Sequence, residues 1–175
     1  MIETERLRLV WLSEKSMDAL LRGDRGELPY AVPADWPDEH DARFLHLRLR
    51  QLRQDAARAD WGVAAMVLRK GDEMVGHIGF HGPPGVNSRR EPGAVEVGYT
   101  VFPDHRRRGY ATEAVRGLLD YARERGIHRF VASVGPENEP SLRLVRGLGF
   151  VEVGRHWDEE DGDELELVLH DPPAG

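Results

Sequence analysis

The pattern of hydrophobic and polar positions predicts seven strands. Apolar residues either alternate with polar ones, as Leu7, Leu9 and Trp11 do, or form short continuous runs that are typical of buried strands. Lys70-Gly71-Asp72, between two such runs, indicates a hairpin turn. The predicted strands span residues 5–12, 61–69, 73–80, 94–102, 128–134, 150–157 and 165–170.

Other segments repeat their apolar residues at helical spacing. In the segment 109–125, Ala111, Val115, Leu118 and Leu119 would share one helix face, and Gly126 would end the helix. Ser13 and Asn138 are of the residue types that cap helix N-termini. The predicted helices span residues 13–22, 38–58, 109–125 and 141–148.

The predicted elements follow one another in the order β-α-α-β-β-β-α-β-α-β-β. This order predicts an α/β fold with a mixed sheet, in a single domain that covers residues 1–175. The strand–helix–strand unit between residues 94 and 134 requires parallel strands and a right-handed crossover. Gly98 inside a central strand predicts a bulge or the close approach of another chain.

Composition narrows the classes of function. The chain contains no cysteine, which excludes thiol nucleophiles, disulfides and cysteine-ligated zinc from its own chemistry. No apolar run reaches the roughly 20 residues of a membrane span, and the N-terminal residues do not resemble a signal peptide. We therefore expect a cytoplasmic protein with no membrane partner.

Charge is unevenly distributed along the chain. The net charge of −7 argues against nucleic acid as a partner, because phosphate backbones favour basic surfaces. Residues 103–146 nevertheless hold nine arginines against six acids. The segment 158–164 contains six acids; it is either a solvated turn or a surface that attracts a cationic molecule.

The most informative stretch runs from Pro103 to Ala114, PDHRRRGYATEA. It lies between a predicted strand and a predicted helix, where unpaired N–H groups and the helix dipole favour an anion. Gly109 would let a ligand approach the backbone, and the three preceding arginines add positive charge. The segment is therefore a candidate pyrophosphate site; the alternative is an ordinary turn with solvated arginines.

The motifs in and around this stretch carry a family resemblance. Arg106-x-x-Gly109-x-Ala111 fits the acyl-coenzyme A signature [QR]-x-x-G-x-[GA], and VEVGYT at 95–100 precedes it. Asn138-x-x-Ser141 and the sequence GLGF at 147–150 follow later. Over residues 3–170 the sequence resembles the GNAT superfamily of N-acetyltransferases, in particular the branch that acetylates the N-termini of ribosomal proteins.

The resemblance implies acetyl-CoA as the acyl-donor substrate, with no metal. It implies that amides from Arg108 to Thr112, with the Arg106 side chain, hold the pyrophosphate. It also implies that strands 94–102 and 128–134 splay apart to admit the pantetheine arm beside Val101. The implied donor-binding residues are Thr100, Val101, Arg106, Arg107, Arg108, Gly109, Tyr110, Ala111, Thr112, Asn138 and Arg143.

Two catalytic residues are implied by the resemblance. Glu96 would act as the general base, although a strand glutamate in a salt bridge is an equally simple interpretation. Ser141 would be the general acid for the thiolate, or only a first-turn residue of a helix. Val145 stands where many relatives have a tyrosine acid, which excludes that version here.

Several further groups leave alternatives open. His77 and His81 could assist as bases, but histidine spacing predicts no metal site. Tyr30, Trp36 and Trp157 could line an acceptor pocket or pack in the core.

The expected function is direct transfer of an acetyl group to a primary amine, on a small molecule or a protein N-terminus. The alternatives are a non-catalytic acyl-CoA binding or sensing module and an acyltransferase that uses another donor, such as succinyl-CoA. A homodimer is left open.

Overall fold

The computed structural model describes residues 1–159 and 162–171. Its strands and helices follow the predicted order, with one additional short strand at the N-terminus, so the mixed α/β fold class is confirmed. The elements are β1 (Ile2–Glu3), β2 (Leu7–Trp11), α1 (Glu14–Arg22), α2 (Glu39–Gln54), β3 (Val63–Leu68), β4 (Met74–Phe80), β5 (Val95–Val101), α3 (Tyr110–Arg123), β6 (Arg129–Val134), α4 (Glu139–Gly147), β7 (Val151–Asp158) and β8 (Gly162–His170).

The chain divides into two compact units. The first comprises Met1–Gly79 and Tyr99–Gly117, and the second comprises Phe80–Gly98 and Leu118–Gly175. Strand β5 and helix α3 each continue from one unit into the other. Within residues 1–159 and 162–171, no helix has the length and apolar character needed to cross a membrane.

The first unit is built on an antiparallel sheet with strand order β1-β2-β3-β4. The backbone N–H of Phe102 donates to the Val75 carbonyl at 2.9 Å, which joins the residue after β5 to β4. Tyr30 and Trp36 are buried among the aliphatic residues that helices α1 and α2 pack against this sheet. These two aromatic side chains are therefore core residues.

Polar caps set the ends of the first two helices. The Ser13 side chain accepts a hydrogen bond from the Ser16 N–H at the start of α1, as its residue type predicts. The prediction that the second helix continues to residue 58 is wrong. Helix α2 ends at Gln54 because Asp55 is extended, and its side chain caps a separate 3-10 turn at Ala56–Ala59.

The second unit has strand order β5-β6-β8-β7. The pair β5–β6 is parallel, as the strand–helix–strand unit predicts, and its described register joins Val95 to Phe130 and Glu96 to Val131. Strand β6 continues to Val134 in antiparallel pairing with β8. The described pairing of β5 with β6 thus covers only two residue pairs.

The last strand pair begins earlier in the acidic segment than the sequence pattern predicts. Strand β8 starts at Gly162 rather than residue 165, so Asp163 and Glu164 are strand residues opposite Trp157 and His156. Trp157 is exposed, unlike the other two candidate pocket aromatics. Glu160 and Asp161 lie outside the described residues.

Candidate active site

The phosphate-turn candidate lies in the first unit, between β5 and α3. A short 3-10 turn at Pro103–His105 is followed by two residues with left-handed backbone, Arg107 at φ 59° and Gly109 at φ 80°. Helix α3 then begins at Tyr110, where the first-turn amides have no partner within the helix. A Cβ on Gly109 would lie 3.3 Å from the Arg6 side chain. Both the conformation and the space at this position therefore favour glycine.

A clamp of three residues fixes the start of α3 to the N-terminal strands. Glu113 Oε1 accepts hydrogen bonds from the Thr4 hydroxyl and the Arg6 backbone N–H, both at 2.6 Å. Arg6 Nε donates to Glu113 Oε2 at 2.7 Å, and its Nη1 donates to the Arg108 carbonyl at 2.9 Å. We call Thr4, Arg6 and Glu113 the α3 clamp. It holds both the turn and the first helical turn.

Electrostatics reinforce this clamp. Burial works to raise the pKa of Glu113, but the hydrogen bonds from Thr4 and Arg6 outweigh it and keep that pKa below its ordinary value. The guanidinium of Arg6 also lies over the ring of Tyr110, 4.8 Å from its centroid. Glu113 is therefore a charged structural partner of the turn.

The three turn arginines are exposed, and the structure assigns one of them a backbone contact. Arg106 Nε donates to the Val101 carbonyl at 2.9 Å, so two predicted donor-binding residues lie together. The Thr100 carbonyl lies so close to Gly76 that a Cβ there would overlap it. Glycine at position 76 is thus needed where β4 passes the end of β5.

Glu96 lies in the second unit, on β5, and is only 1% exposed. Its Oε1 accepts a hydrogen bond from the Ser133 hydroxyl at 2.6 Å, and its Oε2 accepts one from the Ser88 backbone N–H at 2.6 Å. The simpler interpretation, a half-exposed glutamate in a salt bridge, is wrong about exposure, whereas an ion-pair neighbour is present in His81. Glu96 is a buried carboxylate that accepts hydrogen bonds from the 81–92 loop and from β6.

His81 stands beside this carboxylate, directly after β4. Its Nδ1 lies 3.5 Å from Glu96 Oε2, and its side chain is 43% exposed. The His81 backbone N–H donates to the Glu96 carbonyl at 2.9 Å. A Cβ on Gly98 would lie 3.0 Å from His81 Nε2, so the close neighbour at that glycine is a side chain of the same chain rather than another chain. Glycine at position 98 leaves room for the imidazole ring.

The residues predicted on α4 also lie in the second unit. The Asn138 side chain caps the helix by accepting from the Ser141 backbone N–H at 3.3 Å. Arg143 is paired with Glu139 one turn earlier, at 3.5 Å, and is largely exposed. The cap uses the backbone of Ser141 rather than its hydroxyl.

His77 has a different environment from His81. It is buried on β4 in the first unit, stacked on Phe44 at 5.5 Å and tilted against Trp36 at 5.8 Å. The His77 imidazole, with Nε2 3.6 Å from Asp41 Oδ1, holds the pKa of that carboxyl below its ordinary value against the effect of burial. His77 is thus enclosed by core side chains.

A second group of charges lies on the sheet of the second unit. Arg89 Nη1 pairs with Glu166 Oε2 at 2.8 Å, and His156 Nδ1 lies 3.6 Å from Glu166 Oε1. Glu166 is opposite Ser133 in the β6–β8 register, so it shares a face with the residues around Glu96. In the described residues there is no group of three side chains that could hold a metal ion.

The sequence pointed to the turn and to Glu96 as candidates, but it did not indicate which residues contact them. Thr4 and Arg6 precede Glu113 by more than 100 residues, and no local pattern links them. Ser133 could be placed on the Glu96 face only once the β5–β6 register is known, because side chains alternate along a strand. The Ser88 contact depends on the path of an irregular loop.

The sequence and the fold of this chain are similar to those of known proteins. The family described as "Acetyltransferase (GNAT) domain" matches residues 6–151, and the chain belongs to this family of acyltransferases. It is 33% identical to the uncharacterized N-acetyltransferase YoaA of Bacillus subtilis, over 87% of this chain and 84% of that protein. It is 29% identical to the uncharacterized N-acetyltransferase p20 of Bacillus licheniformis, over 95% and 92%.

Solved structures share the fold. A putative GNAT-family acetyltransferase from Bordetella pertussis is 26% identical with a TM-score of 0.69, covering 96% of this chain and 98% of that one. A putative ribosomal-protein-serine acetyltransferase from Vibrio cholerae has a TM-score of 0.67 at 19% identity, covering 97% of each chain. The microcin C7 self-immunity acetyltransferase MccE, solved with acetyl-CoA and AMP, has a TM-score of 0.64 at 13% identity, covering 95% and 93%.

Proposed function

We propose that this protein transfers an acetyl group from acetyl-CoA to a primary amine, by direct attack of the amine in one ternary complex. The observation that carries the proposal is the anchored turn before α3, where Gly109 adopts φ 80° and the α3 clamp fixes the helix N-terminus. Membership of the GNAT family supports acetyl transfer as the reaction class.

The turn has the chemistry that a pyrophosphate needs. Amides of residues 108–112 are at or near a helix N-terminus, where the dipole favours an anion. Arg106, Arg107 and Arg108 add exposed positive charge beside these amides. We assign the donor's pyrophosphate to Arg106–Thr112, with Thr100 and Val101 nearby on β5. Asn138 and Arg143 are further proposed donor contacts.

The chain itself supports a direct mechanism because it has no cysteine to form an acyl-enzyme thioester. The donor supplies an activated thioester. The amine nitrogen forms a bond to the acetyl carbon, the carbon–sulfur bond breaks, and the sulfur leaves as a thiolate that takes up a proton. We assign that proton to the Ser141 hydroxyl, and stabilisation of the oxyanion to a backbone N–H at 99–101.

The attacking amine must lose a proton, since ammonium ions are not nucleophiles. We propose that this proton is removed at the Glu96 site, where the buried carboxylate accepts hydrogen bonds from Ser133 and Ser88. The Glu96 carboxylate is enclosed by protein. Water screens its negative charge only a little, so the carboxylate attracts a nearby proton strongly. Its burial also means that an intermediate group takes the proton from the amine.

The acceptor is a primary amine on a small molecule or a protein N-terminus. The Vibrio cholerae structure is named as a putative ribosomal-protein-serine acetyltransferase, which supports protein N-termini as one class of acceptor to test. The alternative of a non-catalytic acyl-CoA module requires no proton acceptor. The enclosed Glu96 therefore favours the enzyme.

An acceptor screen tests the proposal. Release of free thiol from acetyl-CoA is measured with N-terminal peptides, polyamines, aminoglycosides and amino acids, and the products are identified by mass spectrometry. We expect an acetylated amine, formed faster with acetyl-CoA than with succinyl-CoA. Tight coenzyme A binding without any acetylated amine would contradict the proposal and support a sensor.

A further inference from the structure

The enclosure of Glu96 raises the question of which group contacts the acceptor. Glu96 is 1% exposed, and each of its oxygens already accepts a hydrogen bond at 2.6 Å. An acceptor amine would have to displace these donors to reach the carboxylate, leaving buried polar groups without partners. Direct proton transfer from the amine to Glu96 is therefore disfavoured.

His81 is the exposed group in contact with this carboxylate. Its Nδ1 lies 3.5 Å from Glu96 Oε2, and its side chain is 43% exposed. The backbone hydrogen bond from His81 to the Glu96 carbonyl fixes the two residues together, and Gly98 leaves space for the ring. An imidazole held in this way by a carboxylate is suited to general-base catalysis.

We infer that His81 is the general base of the proposed transfer and that Glu96 is its positioning residue. The inference rests on the proposed function. The imidazole takes one proton from the acceptor ammonium, leaving a neutral amine that attacks the thioester. The imidazolium is stabilised by the Glu96 carboxylate until it gives the proton to water. The second proton of the nitrogen replaces the one that the Ser141 hydroxyl gives to the thiolate, so that serine is restored at the end of the reaction.

Within residues 1–159 and 162–171, the other charged groups named on this face pair with one another. Arg89 of the loop pairs with Glu166 of β8 at 2.8 Å, and His156 of β7 lies 3.6 Å from the same carboxylate. Ser133 and Ser88 are neutral donors to Glu96. Glu96 is thus the carboxylate that faces the His81 ring at ion-pair distance.

The kinetic test uses the full chain and two variants, His81→Ala and His81→Asn. Both should lower kcat/KM for the amine by about 100-fold or more at pH 7, with KM for acetyl-CoA unchanged. The acidic limb of the pH–rate profile should disappear, and added imidazole should restore part of the rate in His81→Ala. His46→Ala, on the exposed side of α2, is the matched control and should behave as wild type.

A second measurement does not depend on activity. The His81 ring is followed by NMR from pH 4 to 9, and its signal is assigned by its absence from His81→Ala. In Glu96→Gln the titration midpoint should move to lower pH by about one unit, because the carboxylate no longer stabilises the imidazolium. Such a shift supports the inference.

The outcomes separate the two claims. Failure of the wild-type protein to acetylate any amine would overturn the proposed function, whereas the titration would still test the contact with Glu96. An active wild type with His81→Ala within about twofold of it, or a midpoint unmoved in Glu96→Gln, would overturn the inference. The His81 variants change a half-exposed side chain, so the kinetic test stands even if Glu96→Gln fails to fold.

Discussion

Gly109 adopts a backbone conformation, φ 80°, that a β-branched side chain can reach only with strain. We expect Gly109→Val to abolish measurable coenzyme A binding in calorimetry, because the turn must change shape and the new side chain would lie against Arg6. The matched control is Gly126→Val, which replaces a glycine with φ 79° beyond the other end of α3. Unchanged affinity in Gly109→Val, or an equal loss in the control, would refute the placement of the pyrophosphate.

Glu96 allows a second test at the level of one side chain. Glu96→Gln keeps the shape but removes the charge, so turnover should fall by about tenfold or more while coenzyme A affinity stays constant. Steady-state kinetics and calorimetry measure the two quantities separately. Glu124→Gln, exposed near the end of α3, is the control for a loss of charge alone. If Glu96→Gln kept wild-type turnover across the pH range, the role assigned to Glu96 would be contradicted.

What the sequence could predict about these residues follows from local chemistry. The need for glycine at position 109 was predictable, because a glycine that stands between arginines and the start of a helix has few other roles. The sequence placed the Glu96 carboxylate on a predicted strand, but it did not show that this carboxylate is buried. That burial depends on the 81–92 loop bringing the Ser88 N–H to the carboxylate, and irregular loops carry no periodicity from which to infer a path.

At the scale of an element, α3 depends on contacts at its first turn. The clamp ties this turn to the N-terminal segment by long-range hydrogen bonds, from Thr4 and Arg6 to Glu113. Because the helix N-terminus continues the turn at residues 106–109, the clamp couples the position of that turn to the N-terminal strands. The position of α3 therefore depends on residues that lie outside the helix.

This coupling predicts how stability depends on pH. The folded pKa of Glu113 lies below the ordinary value of 4.5, so its contribution to stability is present above that pH and is lost as the pH falls through the folded pKa. In urea unfolding, the stability gap between wild type and Glu113→Gln should be largest near neutral pH and shrink below about pH 4.5. A gap that stays constant or widens in acid would contradict the account; Glu124→Gln should show no gap.

Element boundaries were predicted less well than element types. The helical spacing of Phe44, Leu45, Leu49 and Leu52 identified α2 correctly, because burial of one face repeats every turn. Its end was missed, since Asp55 can sit within a helix or cap the next turn, and only the structure distinguishes these. Polar residues also concealed the start of β8 at Gly162.

For the whole molecule, the order of elements and the parallel β5–β6 pair followed from periodicity and chain connectivity. The contacts that define the candidate site did not, because they join residues far apart in sequence. The structure also shows where the basic and the acidic segments of the chain lie. The arginines of the 103–146 segment include the three that precede Gly109. On strand β8, Glu164 lies beside a histidine and Glu166 pairs with an arginine.

The central claim is that an amine attacks acetyl-CoA directly on this protein. Initial velocities measured with both substrates varied, using an acceptor found in the screen and product identified by mass spectrometry, test it most directly. We predict intersecting double-reciprocal lines and one acetylated amine for each thiol released. Parallel lines, which indicate an acyl-enzyme, or thiol release without acetylated amine would contradict it.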